Sequence, residues 1–467
     1  MRTAATTFSL ACCTLVALAA CSSKKDCSCT YICDGGALYC WAEGDATVCT
    51  ADVWQPRRTI EPSSDTAPVA DASRPPDLVS DSAFPSEEVT VDTGADSQTD
   101  TVAPPYGEFR GIWVTRWDFN DSQMVAEIMA KVASMGFNAV MFQVRGRADA
   151  FYDSTLEPWA KELTGTLGQD PGWDPLAVAI EEGHKHGLEV HAWINTFTAW
   201  SGNSPPADSQ PQHILNAHPD WLMVTEDGNP MAYNDSYVFV SPGIPAVRQH
   251  IINVALDVVT GYDVDGFHFD YIRYAGPQYS HDQPSKAAFA SARENDPDLA
   301  WGDFQRDQLS LFVSDAYTAI TSVAPEVKVT AAVWGIYKQE FGWSGTSQGF
   351  YDYYQDSHRW IADGDLDAIC PMIYWKMTTP KGGYTDFATL FDAHHGAVGD
   401  RHIYAGMNAE HPQFVQVTEQ IEYQAANEGH GFVIFAYATV HSSGFDMLLP
   451  DYLGPTPPTP PMPWKSQ

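Results

Sequence analysis

Residues 262–274, YDVDGFHFDYIRY, carry the reading that decides the fold. Val264, Gly266, His268 and Asp270 share one parity, and Asp265, Phe267 and Phe269 share the other. That two-residue period belongs to a strand, whose successive side chains leave opposite faces. With the first set inward, a buried strand carries a histidine and then an aspartate to its C-terminal end. Tyr271, Arg273 and Tyr274 follow at once, a rim suited to gripping a polar, ring-bearing ligand. A carboxylate at the C-terminal end of a barrel strand points to catalysis. An aspartate that caps the next helix, or pairs with Arg273, would leave the same pattern.

Outward from this strand, apolar runs alternate with helical patterns. Strands are expected near 108–115, 138–144, 188–194, 263–269, 327–334, 366–374, 402–407 and 431–437. Amphipathic helices are expected over 122–135, 175–186, 246–261, 303–324, 353–363 and 414–428. Eight strands with intervening helices define an α/β chain and a (β/α)8 TIM barrel over 106–454. A doubly wound sheet is the competing architecture, but no glycine-rich phosphate turn follows the first strand. The segment 196–245 is too long for an ordinary loop and is expected to build a binding face.

The 467 residues carry a formal net charge of −35, which opposes nucleic acid or an anionic membrane surface as a partner. Residues 1–20 read as a lipoprotein signal peptide: Arg2 is followed by an apolar run too short to span a bilayer. The run ends Leu18-Ala19-Ala20-Cys21, resembling a lipobox that would leave Cys21 lipidated, with Ser22 favouring outer-membrane sorting. An ordinary secretory signal with an incidental cysteine is the other reading. Cys27, Cys29, Cys33, Cys40 and Cys49 make 21–53 a cysteine-rich segment. An exported context favours disulfides there, with connectivity open and one thiol left over. Residues 54–105, rich in Pro, Ser, Thr and acids, read as a disordered tether, and 455–467 as a frayed Pro-rich tail. The chain is thus expected to be exported, anchored by lipid to the cell envelope, and monomeric.

On a barrel, the strand ends can be compared. AVMFQVR places Gln143 and Arg145 on one parity, followed by Arg147 and Asp149. EVHAWIN places His191, Trp193 and Asn195 together; the fourth strand adds His268 and Asp270, then Tyr271 and Arg273. Trp334 ends the fifth strand, and Tyr374 and Trp375 end the sixth. Aromatic faces stack on sugar rings, while amides, guanidinium groups and carboxylates bind hydroxyls. Glycoside hydrolysis fits, and it requires two carboxylic acids about the scissile bond. Trp and Tyr on strands also serve as core, and His191 could be a scaffold. His268 and Asp270 are two apart and could ligate a metal, but no His-x-x-x-His, second close acid or cysteine joins them, so neither metal nor cofactor is expected. There is no nucleophile elbow for Ser–His–Asp chemistry.

The runs FRGIWVTRWD, FNAVMFQVRGRADAFYDSTLEPWAKELTG, PGWDPLAVAIEEGHKHGLEVHAWIN, HPDW, YDVDGFHFDYIRY and YDYYQDSHRWIADGDLDAICPMIYW occur in this order. Together they resemble the bacterial glycosyl-hydrolase-like family of exported barrel proteins, long catalogued as a domain of unknown function. The resemblance implies an envelope glycosidase, since a member of that family cuts peptidoglycan glycan strands stripped of their peptides. It implies that Asp270 is the nucleophile or general base. It also marks Arg145, Asp149, His191, Asn195, His268, Asp356, Tyr374 and Trp375 as motif positions. For the second carboxylate, Asp356 is favoured, then Glu340 in the loop after the fifth strand, with Glu410 after the seventh strand and Asp149 and Glu157 after the second also open. The chain departs from its relatives at Tyr271, where many carry a second Asp, at Ala332 for Ser, and at Met372 for Gln. The Ala332 and Met372 departures leave one rival standing, a non-catalytic carbohydrate-binding barrel; the second rival is a metal-dependent polysaccharide deacetylase using His268 and Asp270.

Overall fold

The computed structural model describes residues 107–377, 385–410 and 413–466, and four two-residue strands between 33 and 46. Those four form two small antiparallel ladders: Cys33–Asp34 with Ala37–Leu38, and Trp41–Ala42 with Asp45–Ala46. The expected signal segment with Cys21, the expected disulfides and the expected tether fall outside the described residues.

From Phe109 onward the chain forms eight parallel strands. They are β1 (Phe109–Val114), β2 (Ala139–Arg145), β3 (Glu189–Asn195), β4 (Gly266–Asp270), β5 (Lys328–Trp334), β6 (Ala368–Met372), β7 (His402–Ile403 and Ala405–Asn408, interrupted at Tyr404) and β8 (Gly431–Phe435). Each pairs with its sequence neighbour, and β8 pairs back on β1, so the sheet closes. Closure leaves no unpaired edge. The (β/α)8 expectation holds.

Helices cover the outside: α1 (Ser122–Ser134), α2 (Pro175–Lys185), α3 (Pro245–Gly261), α4 (Gln283–Asn295), α5 (Trp301–Val323), α6 (Ser357–Ala362), α7 (Phe387–His395) and α8 (Phe414–Ala426). Local chemistry starts them. Asp121 accepts the Met124 N–H at 2.8 Å, and Asp174 accepts that of Ala177 at 3.0 Å with Pro175 in the first turn; such caps satisfy donors that have no intrahelical partner. In α1, Val125, Ile128, Met129 and Val132 form the buried stripe. The helix expected over 353–363 begins only at Ser357, because Tyr354 takes φ +56° and breaks the turn.

Two apolar layers result. Ile112, Val140, Phe267, Val329 and Ile369 point outward against the helices. Phe109, Trp113, Met141, Trp193, Ala332, Cys370, Tyr404 and Val433 fill the barrel. The tail does not fray. Pro458 O accepts the Glu108 N–H at 3.0 Å, Trp464 Nε1 donates to buried Asp367 at 2.7 Å, and Lys465 Nζ lies 2.8 Å from the same carboxylate. Met462 is buried with the barrel interior. The tail therefore crosses the N-terminal end of the barrel and seals it. No helix among the described residues is long and apolar enough to cross a membrane.

Candidate active site at the C-terminal mouth

Register sorts the expected residues by depth. His191 lies level with Gly266, where β4 begins, and Asn195 lies level with Asp270, where it ends. His191 is thus at the closed end of the barrel. It is fully buried, edge-on to Phe109, with Nε2 3.2 Å from Glu189. It fits there because position 266 is glycine: a Cβ would stand 2.1 Å from His191 Nδ1. His268 sits one layer higher, fully buried. Its Nε2 accepts the Trp113 indole N–H at 3.1 Å, so Nδ1 carries the proton and donates to Thr330 Oγ1 at 2.8 Å. Burial, and then nearby His191, push its pKa down to about 3, so it is neutral and has no nitrogen lone pair left to ligate a metal. Both histidines support the mouth from below; the expectation that they bind substrate is corrected by depth.

Arg145 and Asp149 also leave the expected set. A register shift between Gln143 and Arg145 pairs Arg145 with Ile194, an outward-facing residue, so the shared parity is lost. Such bulges re-aim a side chain. Arg145, fully buried, makes a two-pronged pair with Glu157 at 2.7 and 2.8 Å and donates to the carbonyls of Asn195, Thr196 and Thr198. Asp149, also fully buried, accepts the Arg147 N–H at 2.8 Å and closes the turn after β2. Both are struts of the mouth loops.

The remaining strand-end residues converge. Gln143 Nε2 donates to Asn195 Oδ1 at 3.1 Å, and Gln143 Oε1 accepts from both the backbone and the guanidinium of Arg116. Arg116 in turn donates to the Tyr237 hydroxyl at 2.7 Å. Tyr237 belongs to the 196–245 insertion, where Thr198–Ser201 and Tyr237–Phe239 pair as an antiparallel ribbon. The insertion therefore does reach the mouth, as its length suggested, and Arg116 and Tyr237 are members that the strand-end reading missed.

Asp270 is the carboxylate at the centre. It is 7% exposed; Oδ1 accepts the Tyr271 N–H at 2.6 Å and lies 3.6 Å from Arg273 NH1. Burial raises its pKa above the ordinary value, opposed by the Arg273 charge, the Tyr271 N–H and the Trp193 indole. The indole N–H approaches the carboxylate but stops short of hydrogen-bond geometry. Tyr271 takes φ +48°, a strained conformation for a bulky residue, and strain of this kind concentrates at functional sites. It lets the Tyr271 ring sit 4.1 Å beneath the Arg273 guanidinium and edge-on to Tyr237. Arg273 is also flanked by Trp334 at 5.3 Å and Tyr353 at 6.0 Å. Burial, and then the nearby Asp270 charge, push the Tyr374 hydroxyl well above the ordinary range, and its ring stacks on Phe435. Trp375 covers Gly335 at the start of the β5 loop.

The second acid is less centred. Asp356 is half-buried and accepts the Tyr337 hydroxyl at 2.6 Å; Glu340 is exposed in the same loop. On the other side of the mouth, Trp117, Asp118, Glu127, Glu410, Tyr437 and His441 line an open cleft of about 710 Å³. Among the described residues no group of three or more potential metal ligands exists.

A closed parallel barrel with a buried carboxylate at its C-terminal mouth, ringed by Trp, Tyr, Arg and paired amides, defines a (β/α)8 barrel of the glycoside hydrolase type. The chain belongs to the glycosyl hydrolase-like 10 family, whose model matches residues 108–424. It is 32% identical over 330 residues to glycosyl hydrolase YngK of Bacillus subtilis (strain 168), covering 65% of this chain and 61% of that one. It is 29% identical over 282 residues to glycosyl hydrolase DigH of Escherichia coli (strain K12), covering 56% and 60%. The chain thus spans about three-fifths of the length of these curated relatives. Among solved structures, the glycoside hydrolase domain of PgaB (BpsB) from Bordetella bronchiseptica aligns with a TM-score of 0.54 at 13% identity, over 75% of this chain and 99% of that one. The catalytic domain of the Paenibacillus polymyxa β-amylase aligns with a TM-score of 0.52 at 12% identity, over 76% and 100%. At such identities these two show the fold alone.

Proposed function

We propose that this protein hydrolyses glycosidic bonds of a polysaccharide, with Asp270 as the carboxylate at the reacting centre. The observation that carries the reading is Asp270 itself: buried, raised in pKa, and held at the C-terminal mouth between Trp193, Tyr271 and Arg273. The reaction needs a second carboxyl group to protonate the leaving oxygen while the first attacks the anomeric carbon or activates water. Asp356 is our assignment, oriented by Tyr337, with Glu340 as the alternative in the same loop. The substrate we propose is the glycan strand of peptidoglycan. Support comes from the family resemblance and from a signal segment that reads as a lipoprotein leader, which would hold the barrel at the envelope.

The test is release of reducing ends from purified glycan strands by wild type and by Asp270→Asn. Loss of activity of at least a thousandfold is expected, since the variant keeps the shape and removes the charge. Equal activity in the two would remove Asp270 from the mechanism. The deacetylase reading is disfavoured by the two committed nitrogens of His268; acetate release that is sensitive to a chelator would restore it.

A further inference from the structure

We propose that Tyr337, His358 and His394 are positioning residues that hold Asp356 as the proton donor of the site. The inference rests on the reading of Asp356 as the second carboxyl group and goes beyond it by naming the assembly that fixes where its proton lies.

Asp356 stands at the N-cap of α6, where an aspartate ordinarily accepts an N–H of its own helix. It makes no such bond. Its Oδ1 instead accepts the Tyr337 hydroxyl at 2.6 Å. The residues before it are fastened to the mouth. Buried Gln355 accepts the Trp334 N–H at 2.6 Å and donates to the Ile272 carbonyl, just beyond Asp270, at 3.1 Å. The Tyr353 carbonyl accepts the Tyr274 N–H at 3.2 Å. The carboxylate is thus drawn off its own helix, on a segment tied to the ends of β4 and β5.

Tyr337 is fixed in turn. Its ring lies on that of His358, with centroids 3.7 Å apart and planes 19° from parallel. His394, fully buried in the last turn of α7, sets the tautomers. Its Nε2 lies 3.0 Å from the Gly335 carbonyl and so carries the proton. Its Nδ1 must then accept, and His358 donates to it from Nε2 at 3.1 Å. Burial pushes His358 down to about 3 and His394 to about 4, with His394 and Lys338 adding to the effect on His358, so both rings are neutral. Burial and the bond to Asp356 hold the Tyr337 hydroxyl well above its ordinary range, so it stays a donor. The other charges that face it are Arg306, Glu340 and Lys338, whose Nζ stands 5.0 Å over the ring.

With Oδ1 occupied, the acidic proton of Asp356 belongs on Oδ2. When the anomeric C–O bond breaks, its electron pair goes to the leaving oxygen, which takes that proton. Asp356 is left as a carboxylate facing the Tyr337 O–H. Hydrogen bonds to charged acceptors are roughly twice as strong as neutral ones. The Tyr337 bond therefore strengthens as the proton leaves, and only such a difference between ground and transition state accelerates the step.

The experiment measures kcat and KM of the full chain on purified glycan strands and on a dinitrophenyl glycoside of the same repeat, whose leaving group needs no proton. Tyr337→Phe and His358→Ala, each shown to be folded by its Tm, are expected to lower kcat on strands on the order of tenfold to a hundredfold at unchanged KM. Cleavage of the dinitrophenyl glycoside should stay close to the wild-type rate, because general acid help is not required there. His358→Phe restores the stacked ring and should recover most of the loss. If His358→Ala does not fold, Tyr337→Phe, which removes a single hydroxyl, decides alone. Equal slowing on both substrates, a change in KM in place of kcat, or no recovery in His358→Phe overturns the assignment. Failure of the underlying reading looks different. Strands left intact by the wild type refute the glycosidase, and full activity of Asp356→Asn on strands removes Asp356 as the acid; either takes this inference with it. Strands cut by the wild type but not by Asp356→Asn, with Tyr337→Phe unchanged, refute the positioning alone.

Discussion

Arg145 offers the sharpest contrast between a motif position and its role. If it is a strut, removing its partner should cost stability and leave substrate affinity nearly unchanged. Glu157→Gln is the cleanest perturbation, because it keeps shape and leaves Arg145 charged, buried and unpaired. Two routes give the magnitude. Breaking a buried ion pair on one side typically costs about 3–5 kcal/mol. The Glu157 carboxyl is held at about 2, against an ordinary 4.5, by Arg145 and by His250 at 3.0 Å, which together outweigh its burial. That depression corresponds to roughly 3 kcal/mol. For the roughly 360 residues of the barrel, unfolding entropy of about 2.1 cal/mol/K per residue turns 3–5 kcal/mol into a fall in Tm of about 4–7 °C. The sign of the pH dependence follows from the depressed value. The stabilisation is fully present above pH 4.5 and is lost as pH falls towards 2. The gap between wild type and Glu157→Gln should therefore narrow over that window. Differential scanning calorimetry from pH 7 down to pH 3 measures it, alongside KM on glycan strands for Glu157→Gln and Arg145→Met. An unchanged Tm with a raised KM in Arg145→Met would refute the strut and return Arg145 to the substrate.

Other outcomes follow from the same geometry. Ending the chain after Gly454 should destabilise the barrel by about 2–4 kcal/mol, from uncovering Met462 and leaving Asp367 without Trp464 and Lys465; an unchanged urea midpoint would mean that the tail is no seal. His268, His358 and His402 are held near 3, and His394 and His430 near 4, all chiefly by burial. The unfolded chain takes up these protons from about pH 6.5, so Tm should fall continuously below that pH, and a flat Tm between pH 7 and 5 would contradict the neutral histidines. Gly266→Ala should cost at least about 1–3 kcal/mol by driving a methyl into His191. Adding His191→Ala should recover part of the loss, and no recovery in a denaturation assay would place the clash elsewhere.

The period-2 stretch at 262–274 and its seven counterparts made the barrel readable, because a buried strand needs only its own alternation to declare itself. Helix α7 is equally readable, with Phe387, Leu390, Phe391 and His394 at helical spacing. Helix α4 was not: among its residues only Ser285 is buried, so it shows no apolar stripe.

Asp270 at the C-terminal mouth was determined by sequence alone, because strand direction and parity are local properties that closure of a parallel barrel preserves. Gln143, Asn195, Trp334, Tyr374 and Trp375 came with it on the same logic. Only the tertiary structure decided how deep each inward residue lies. It set His191 at the floor and His268 in the middle, since depth depends on the stagger between strands and leaves no mark in either one. It turned Arg145 out of the mouth through one bulge, and it brought Arg116 and Tyr237 together across 121 positions of chain. It also set the Trp193 indole and the Arg273 guanidinium against Asp270. Contacts between strands are a property of the assembled mouth, so no pattern along the chain could announce them.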